Sequence, residues 1–154
     1  GSGKTTLANA LLQLIADAGD RVVIIEDTRE LKSPVADTVS LRTHGNVTMN
    51  QLLHAALRLR PDRIIVGEVR GPEALTMLKA WNTGHPGGIA TIHANSAAMA
   101  LTRLEQLVGE ATQSPMRELI AEAVDVVVQI ERYAGNAAGR MVREVSSGTD
   151  SAKR

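Results

Sequence analysis

The chain has 154 residues, 44% hydrophobic and 22% charged, which suits one globular domain with a sizeable core. Lys plus Arg and Asp plus Glu both number 17, so no basic excess draws nucleic acid by long-range attraction, and 1% aromatic content leaves no ladder for stacking bases. The absence of cysteine excludes disulfides, thiolate zinc sites and cysteine nucleophiles.

In chain order, the first six residues, Gly1-Ser2-Gly3-Lys4-Thr5-Thr6, read as the second half of a phosphate-binding loop. In the pattern G-x-x-x-x-G-K-[ST], Gly3 is the second glycine, Lys4 the lysine and Thr5 the hydroxyl residue, so the chain is expected to be a fragment that starts inside the loop. Glycines let successive N–H groups curl around an anion, and the following helix points its positive dipole end at the same charge. Lys4 would reach the β/γ-phosphates and Thr5 would give its hydroxyl to Mg²⁺, which prefers oxygen ligands shared with phosphate. The competing reading is a Gly/Ser linker that happens to precede Lys-Thr-Thr.

Apolar residues at Leu7, Ala8, Leu11, Leu12, Leu14 and Ile15 recur at a helical period from Thr5 to Ala18, and Gly19-Asp20 supplies the stop. Arg21 to Ile25 is a β-branched run without polar alternation, as in a strand buried on both faces. The next segment reads as a loop with an extended piece near Thr38 to Arg42, after which Thr48 caps a helix through Leu59 and Pro61 prevents its continuation. Ile64-Ile65-Val66 is the next buried strand, Pro72 to Asn82 a helix, and Ile89 to His93 a further strand. Ser96 caps a helix to about Val108, Ser114-Pro115 starts another through Val124, and Asp125 to Ile130 is expected to be a third buried run. Arg140 to Val145 reads as a terminal strand joined by a hairpin through Gly135 to Gly139, and the tail from Ser146 has nothing to bury and is expected to be disordered. Strands alternating with helices give the α/β class with a mostly parallel sheet, because parallel strands need crossover connections. No apolar run approaches the roughly 20 residues that cross a bilayer, so membrane association is expected to be peripheral.

Ligands of open α/β sheets sit outside the carboxyl ends of strands. There the sequence places Glu26, Asp27 and Glu30, then Glu68, then His93, all expected on the rim that carries the loop. Carboxylates beside a bound nucleotide can orient water or accept its proton. Each also has a plainer reading: Glu26 and Asp27 as caps, Glu68 paired with Arg70 or Arg63, His93 satisfied by a carbonyl. Arg58, Arg60, Arg63 and Arg70 crowd the second strand, and a guanidinium fork suits charge on a transferring phosphoryl group. Arg58, at a helix end, could act across a subunit boundary or simply complement the helix dipole.

Arg60-Pro61-Asp62, the strand, and Gly67-Glu68-Val69-Arg70-Gly71 resemble the secretion-motor ATPases of type II and type IV secretion and type IV pili. Ile25 to Glu30 looks like that family's acidic box, and Thr83-Gly84-His85 with Thr91 to Ser96 like its histidine box. Arg70-Gly71, where pilus and type II motors usually carry Arg-Asp, is similar to the conjugative-transfer, TrbB-like branch. The resemblance implies a RecA-like domain over residues 1–145, followed by the tail 146–154, that binds ATP and Mg²⁺. It implies that Lys4 and Thr5 contact phosphate and metal, Glu30 polarises the attacking water, and Glu68 supports metal and water. Arg58 and Arg42 match arginines offered to nucleotide, and His85 and His93 the two histidines that couple nucleotide state to movement. The extra turn Pro86-Gly87-Gly88 shifts His85 relative to pilus motors. The resemblance further implies a cytoplasmic homohexamer beneath a bacterial inner membrane, partnered by membrane subunits of a secretion system, with no direct nucleic-acid binding expected. A pilus or type II motor, a RecA-like DNA translocase and a ring subunit that uses ATP only as structural glue are the competing functions.

Overall fold

The computed structural model describes residues 2–148; Gly1 and the tail 149–154 lie outside the described residues. Helix α1 (Lys4–Leu14) starts directly on Gly3, and the chain tightens after Leu14 into i→i+3 turns (Ala16 N–H to Gln13 O, Ala18 N–H to Ile15 O), so the helix ends earlier than its apolar period. Strand β1 (Val22–Glu26) follows, then β2 (Thr38–Arg42), α2 (Met49–Leu57), β3 (Arg63–Val66), α3 (Glu73–Asn82) and β4 (Ile89–Ala90). These strands form one parallel sheet in the order β2-β1-β3-β4, with Val23 opposite Ile64 and Ile24 opposite Ile65.

Side chains alternate across a strand, so β1 divides its aliphatics between two cores. Val22 and Ile24 join Ala8, Leu12 and Ile65 beneath α1, while Val23 and Ile25 join Leu53, Ile64, Val66, Leu78 and Leu107 on the opposite face. That second face is covered by α2, α3, α4 (Ala97–Gly109) and α5 (Arg117–Ala123). Helices on both faces explain why β1 and β3 read as continuous apolar runs. Each fully buried aliphatic side chain contributes about 1.5–3 kcal/mol. Two helix starts follow their sequence signals. Thr48 Oγ1 accepts from Gln51 N–H while the Gln51 side chain accepts from Thr48 N–H, and Ser96 Oγ accepts from Met99 N–H.

Three expectations are corrected. β4 is two residues long rather than running to His93: beyond Ala90 the chain still bonds its neighbour, Val69 N–H to Thr91 O and Thr91 Oγ1 to Gly67 O, but out of regular ladder geometry. The run from Asp125 is not buried. It forms β5 (Val126–Arg132), mostly half-buried, which pairs antiparallel with the mostly exposed β6 (Arg140–Ser147) in a separate two-stranded ribbon. β6 continues two residues past Val145, pairing Ser146 with Val127 and Ser147 with Val126.

β4, at the edge of the sheet, and the ribbon are not paired with each other. Between them, beside α1, lies an apolar cavity of about 960 Å³, lined by Leu7, Leu11, Ile92, Leu101, Val128 and Ile130 among others. No helix among the described residues is long and apolar enough to cross a membrane.

Candidate active site

All strands of the sheet run the same way, so their carboxyl ends share one edge, and α1 begins at that edge. Gly3 caps α1 with φ 106°, a left-handed conformation that glycine adopts without strain, and its carbonyl accepts from Leu7 N–H at 2.9 Å. Lys4 and Thr5, the first two helical residues, then face the strand ends. Thr5 Oγ1 donates to Glu30 Oε2 at 2.9 Å, and Lys4 Nζ lies 3.4 Å from His93 Nδ1.

From His93 the contacts run on without a break. Its Nε2 is 2.8 Å from Glu68 Oε1, and Glu68 Oε2 accepts from Arg70 Nε at 2.7 Å and from Arg70 Nη2. Arg70 also reaches Asp27 Oδ2 at 3.4 Å, and Thr43 Oγ1 donates to Asp27 Oδ1 at 3.0 Å. The Glu68 hydrogen bond, then its charge, raise the Arg70 pKa above the ordinary guanidinium value, so Arg70 remains a cation throughout. The imidazole of His93 is close enough to pair with the Glu68 carboxylate when charged, but it is not aligned to donate a hydrogen bond to it. Glu68 Oε1 is therefore a buried acceptor without a donor among the described residues.

The loop carrying Glu30 is held from below. Glu26, only 5% exposed, accepts from the backbone N–H of Glu30 at 3.0 Å and of Leu31 at 2.9 Å. Asn9 on α1 accepts from Lys32 N–H at 2.8 Å, which ties the same loop to the opening helix. Gly67 makes room for this arrangement: a Cβ there would stand 2.9 Å from Glu26 Cγ.

The structure thus brings together Lys4, Thr5, Glu30, Glu68 and His93, five of the residues singled out by sequence. Ser2 and Gly3 precede them in the loop, and Thr6 follows them on α1. Arg42 ends β2 in register with Glu26 on the same edge, exposed and one strand beyond the cluster. His85 is elsewhere. Its Nδ1 is 2.7 Å from Pro61 O, ahead of β3, so it sits at the amino edge of the sheet, a strand of about 13 Å away from His93. Arg58, exposed at the C-cap of α2, belongs to the same amino edge, where neighbouring Leu59 O accepts from Arg21. Neither residue is part of the cluster within one chain. The plainer readings of two strand-end residues hold, Glu26 capping the loop that follows it and Glu68 pairing with Arg70, whereas Arg140 had no part beyond opening a terminal strand, and its Nη1 donates to Thr6 Oγ1 at 2.8 Å. For Glu26 a signal existed: with Val22 and Ile24 it continues the inward face of β1 at period two.

A family model described as "Type II/IV secretion system protein" matches residues 1–151. The conjugal transfer protein TrbB of Rhizobium radiobacter is 59% identical over 147 residues, covering 94% of this chain and 45% of that protein. Among solved structures, the VirB11 ATPase of the Brucella suis type IV secretion system, in complex with sulphate, superposes with a TM-score of 0.88 at 36% identity, over 98% of this chain and 46% of that one. The pilus retraction motor PilT with bound ADP gives 0.75 at 27% identity, over 96% of this chain and 44% of that one. The chain spans less than half the length of these relatives. With the match running through the loop, the acidic strand ends and the histidine, the chain belongs to the family of type II/IV secretion system proteins.

Proposed function

We propose that this chain is the ATP-hydrolysing, RecA-like portion of a traffic ATPase of conjugative or type IV secretion, working with Mg²⁺ in a homohexameric ring against the inner-membrane subunits of its secretion system. The observation that carries this reading is the convergence of Lys4, Thr5, Glu30, Glu68 and His93 at the amino end of α1. The identity to TrbB and the nucleotide and anion in the PilT and VirB11 structures support it.

In this reading the triphosphate replaces His93 as the partner of Lys4, whose ammonium neutralises the β/γ-phosphates. Glu30, its backbone fixed by Glu26, orients a water at the γ-phosphorus and takes its proton, and the ADP oxygen leaves on the opposite side. His93 and Arg70 hold Glu68 from two sides, so loss of the Lys4 contact is felt along the whole chain of contacts. The donors suit Mg²⁺. They are a hydroxyl and carboxylate oxygens, one of them the undonated Glu68 Oε1. Thr5 and Glu68 would hold it, and it would add Lewis-acid neutralisation of phosphate charge.

Arg58, exposed and away from its own cluster, is suited to a nucleotide on a neighbouring subunit, and Arg42 to one on its own. The apolar cavity between β4 and β5 is suited to one further strand leading into the loop, which fits relatives more than twice as long. The full-length protein is expected to show ATPase activity that falls to background when EDTA removes Mg²⁺, while residues 1–154 alone retain little or none. A phosphate-release assay checks both. Activity persisting in EDTA, or an isolated chain as fast as the full-length protein, would contradict the reading.

A further inference from the structure

The C-terminal hairpin places one arginine on the phosphate loop from a distance of 134 residues in sequence. Arg140 opens β6. Its Nη1 donates to Thr6 Oγ1 at 2.8 Å, and its aliphatic stem lies so close on Gly3 that a Cβ there would stand 2.7 Å from Arg140 Cδ. The hairpin is constructed to hold it. Asn136 Nδ2 donates to Arg140 O at 2.9 Å, Arg140 N–H donates to Asn136 Oδ1 at 3.3 Å, and Tyr133 N–H donates to Gly139 O at 3.0 Å across the turn. Yet the guanidinium has no carboxylate partner among the described residues, unlike Arg21, Arg63, Arg70, Arg117 and Arg143. A half-buried cation pinned beside a loop built for anions, with only a neutral hydroxyl as partner, has its counter-charge still to come.

Which part of the nucleotide would supply it follows from the two sides of the loop. The phosphate that reacts must lie by Glu30, Glu68 and His93, all reached from Lys4 and Thr5. Thr6 and Arg140 bond each other and none of those residues, which leaves them to the nucleoside end of a nucleotide laid along the loop. We propose that Arg140 is a nucleotide-binding residue that contacts the nucleoside-proximal phosphate, and thereby ties the β5–β6 ribbon to nucleotide occupancy whether or not the γ-phosphate is present. The inference rests on the ATPase reading above.

The test is titration of the full-length protein, its Arg140→Ala and its Arg140→Lys variants with fluorescent ADP and with ATP, alongside steady-state kinetics. Arg140→Ala is expected to weaken ADP and ATP by the same factor of about 10 and to raise KM likewise, with kcat nearly unchanged. Arg140→Lys should fall between the two, keeping the charge but losing the fork. The nucleotide-free melting temperature should stay close to that of the unmutated protein, which a purely structural role would not allow. Unchanged affinities, weakening of ATP but not ADP, or a kcat loss at unchanged KM would each overturn the assignment. If the unmutated protein binds neither nucleotide, the ATPase reading falls first and takes this one with it; if it binds both and Arg140→Ala binds them equally well, only the assignment of Arg140 falls.

Discussion

Glu30→Gln in the full-length protein is expected to lower ATP turnover by a factor of about 10²–10⁴, the range for loss of a positioned general base, with nucleotide affinity nearly unchanged. The amide is the same shape as the carboxylate, can still accept from Thr5 Oγ1, and leaves the backbone N–H on Glu26 undisturbed. What it loses is the capacity to take a proton from water. Phosphate release measured beside ADP titration separates the two effects. Turnover at the unmutated rate would transfer the role to Glu68, the remaining carboxylate in contact with His93.

Glu26→Ala should be damaging for a different reason. It strands the N–H groups of Glu30 and Leu31 in a region where Leu31 is 5% exposed, at about 1–3 kcal/mol for each group left without an acceptor. Denaturant melts should report that loss. Turnover should fall along with stability, because the loop that aims Glu30 is no longer held. Glu26→Gln is the informative partner, since its amide oxygen can still accept from both groups, and it should recover most of the stability and most of the rate. If Glu26→Ala melts like the unmutated protein, the carboxylate does not organise this loop.

Much of this architecture was legible because its causes are local. Thr48 with Gln51 three residues on, Ser96 before an apolar period, and the Thr38 to Arg42 stretch all fold as their residues indicate. The carboxyl-edge rule brought Glu30, Glu68 and His93 to Lys4 and Thr5, since the strands are parallel and share an end. The failures concern what lies beside a segment rather than within it. Val126, Val127 and Val128 read as a buried run, but burial requires covering layers, and β5 pairs with β6 in a sheet of its own and faces a cavity. The resemblance matched His85 and His93 to two histidines of the family without fixing where His85 stands; the turn after α3 leaves it against Pro61 O at the other edge. Arg140 carries no local signal, because its position depends on a hairpin folding back across the entire domain onto residues 3 and 6.

The most direct measurement is calorimetric titration of the full-length protein with ADP and Mg²⁺ before and after Lys4→Ala. Saturable binding that weakens by about 10–100-fold on losing the ammonium is the result expected if the strand ends and the opening helix enclose a nucleotide. Equal affinity in the two proteins, or no binding in either, would mean that the cluster around Lys4 serves some other purpose.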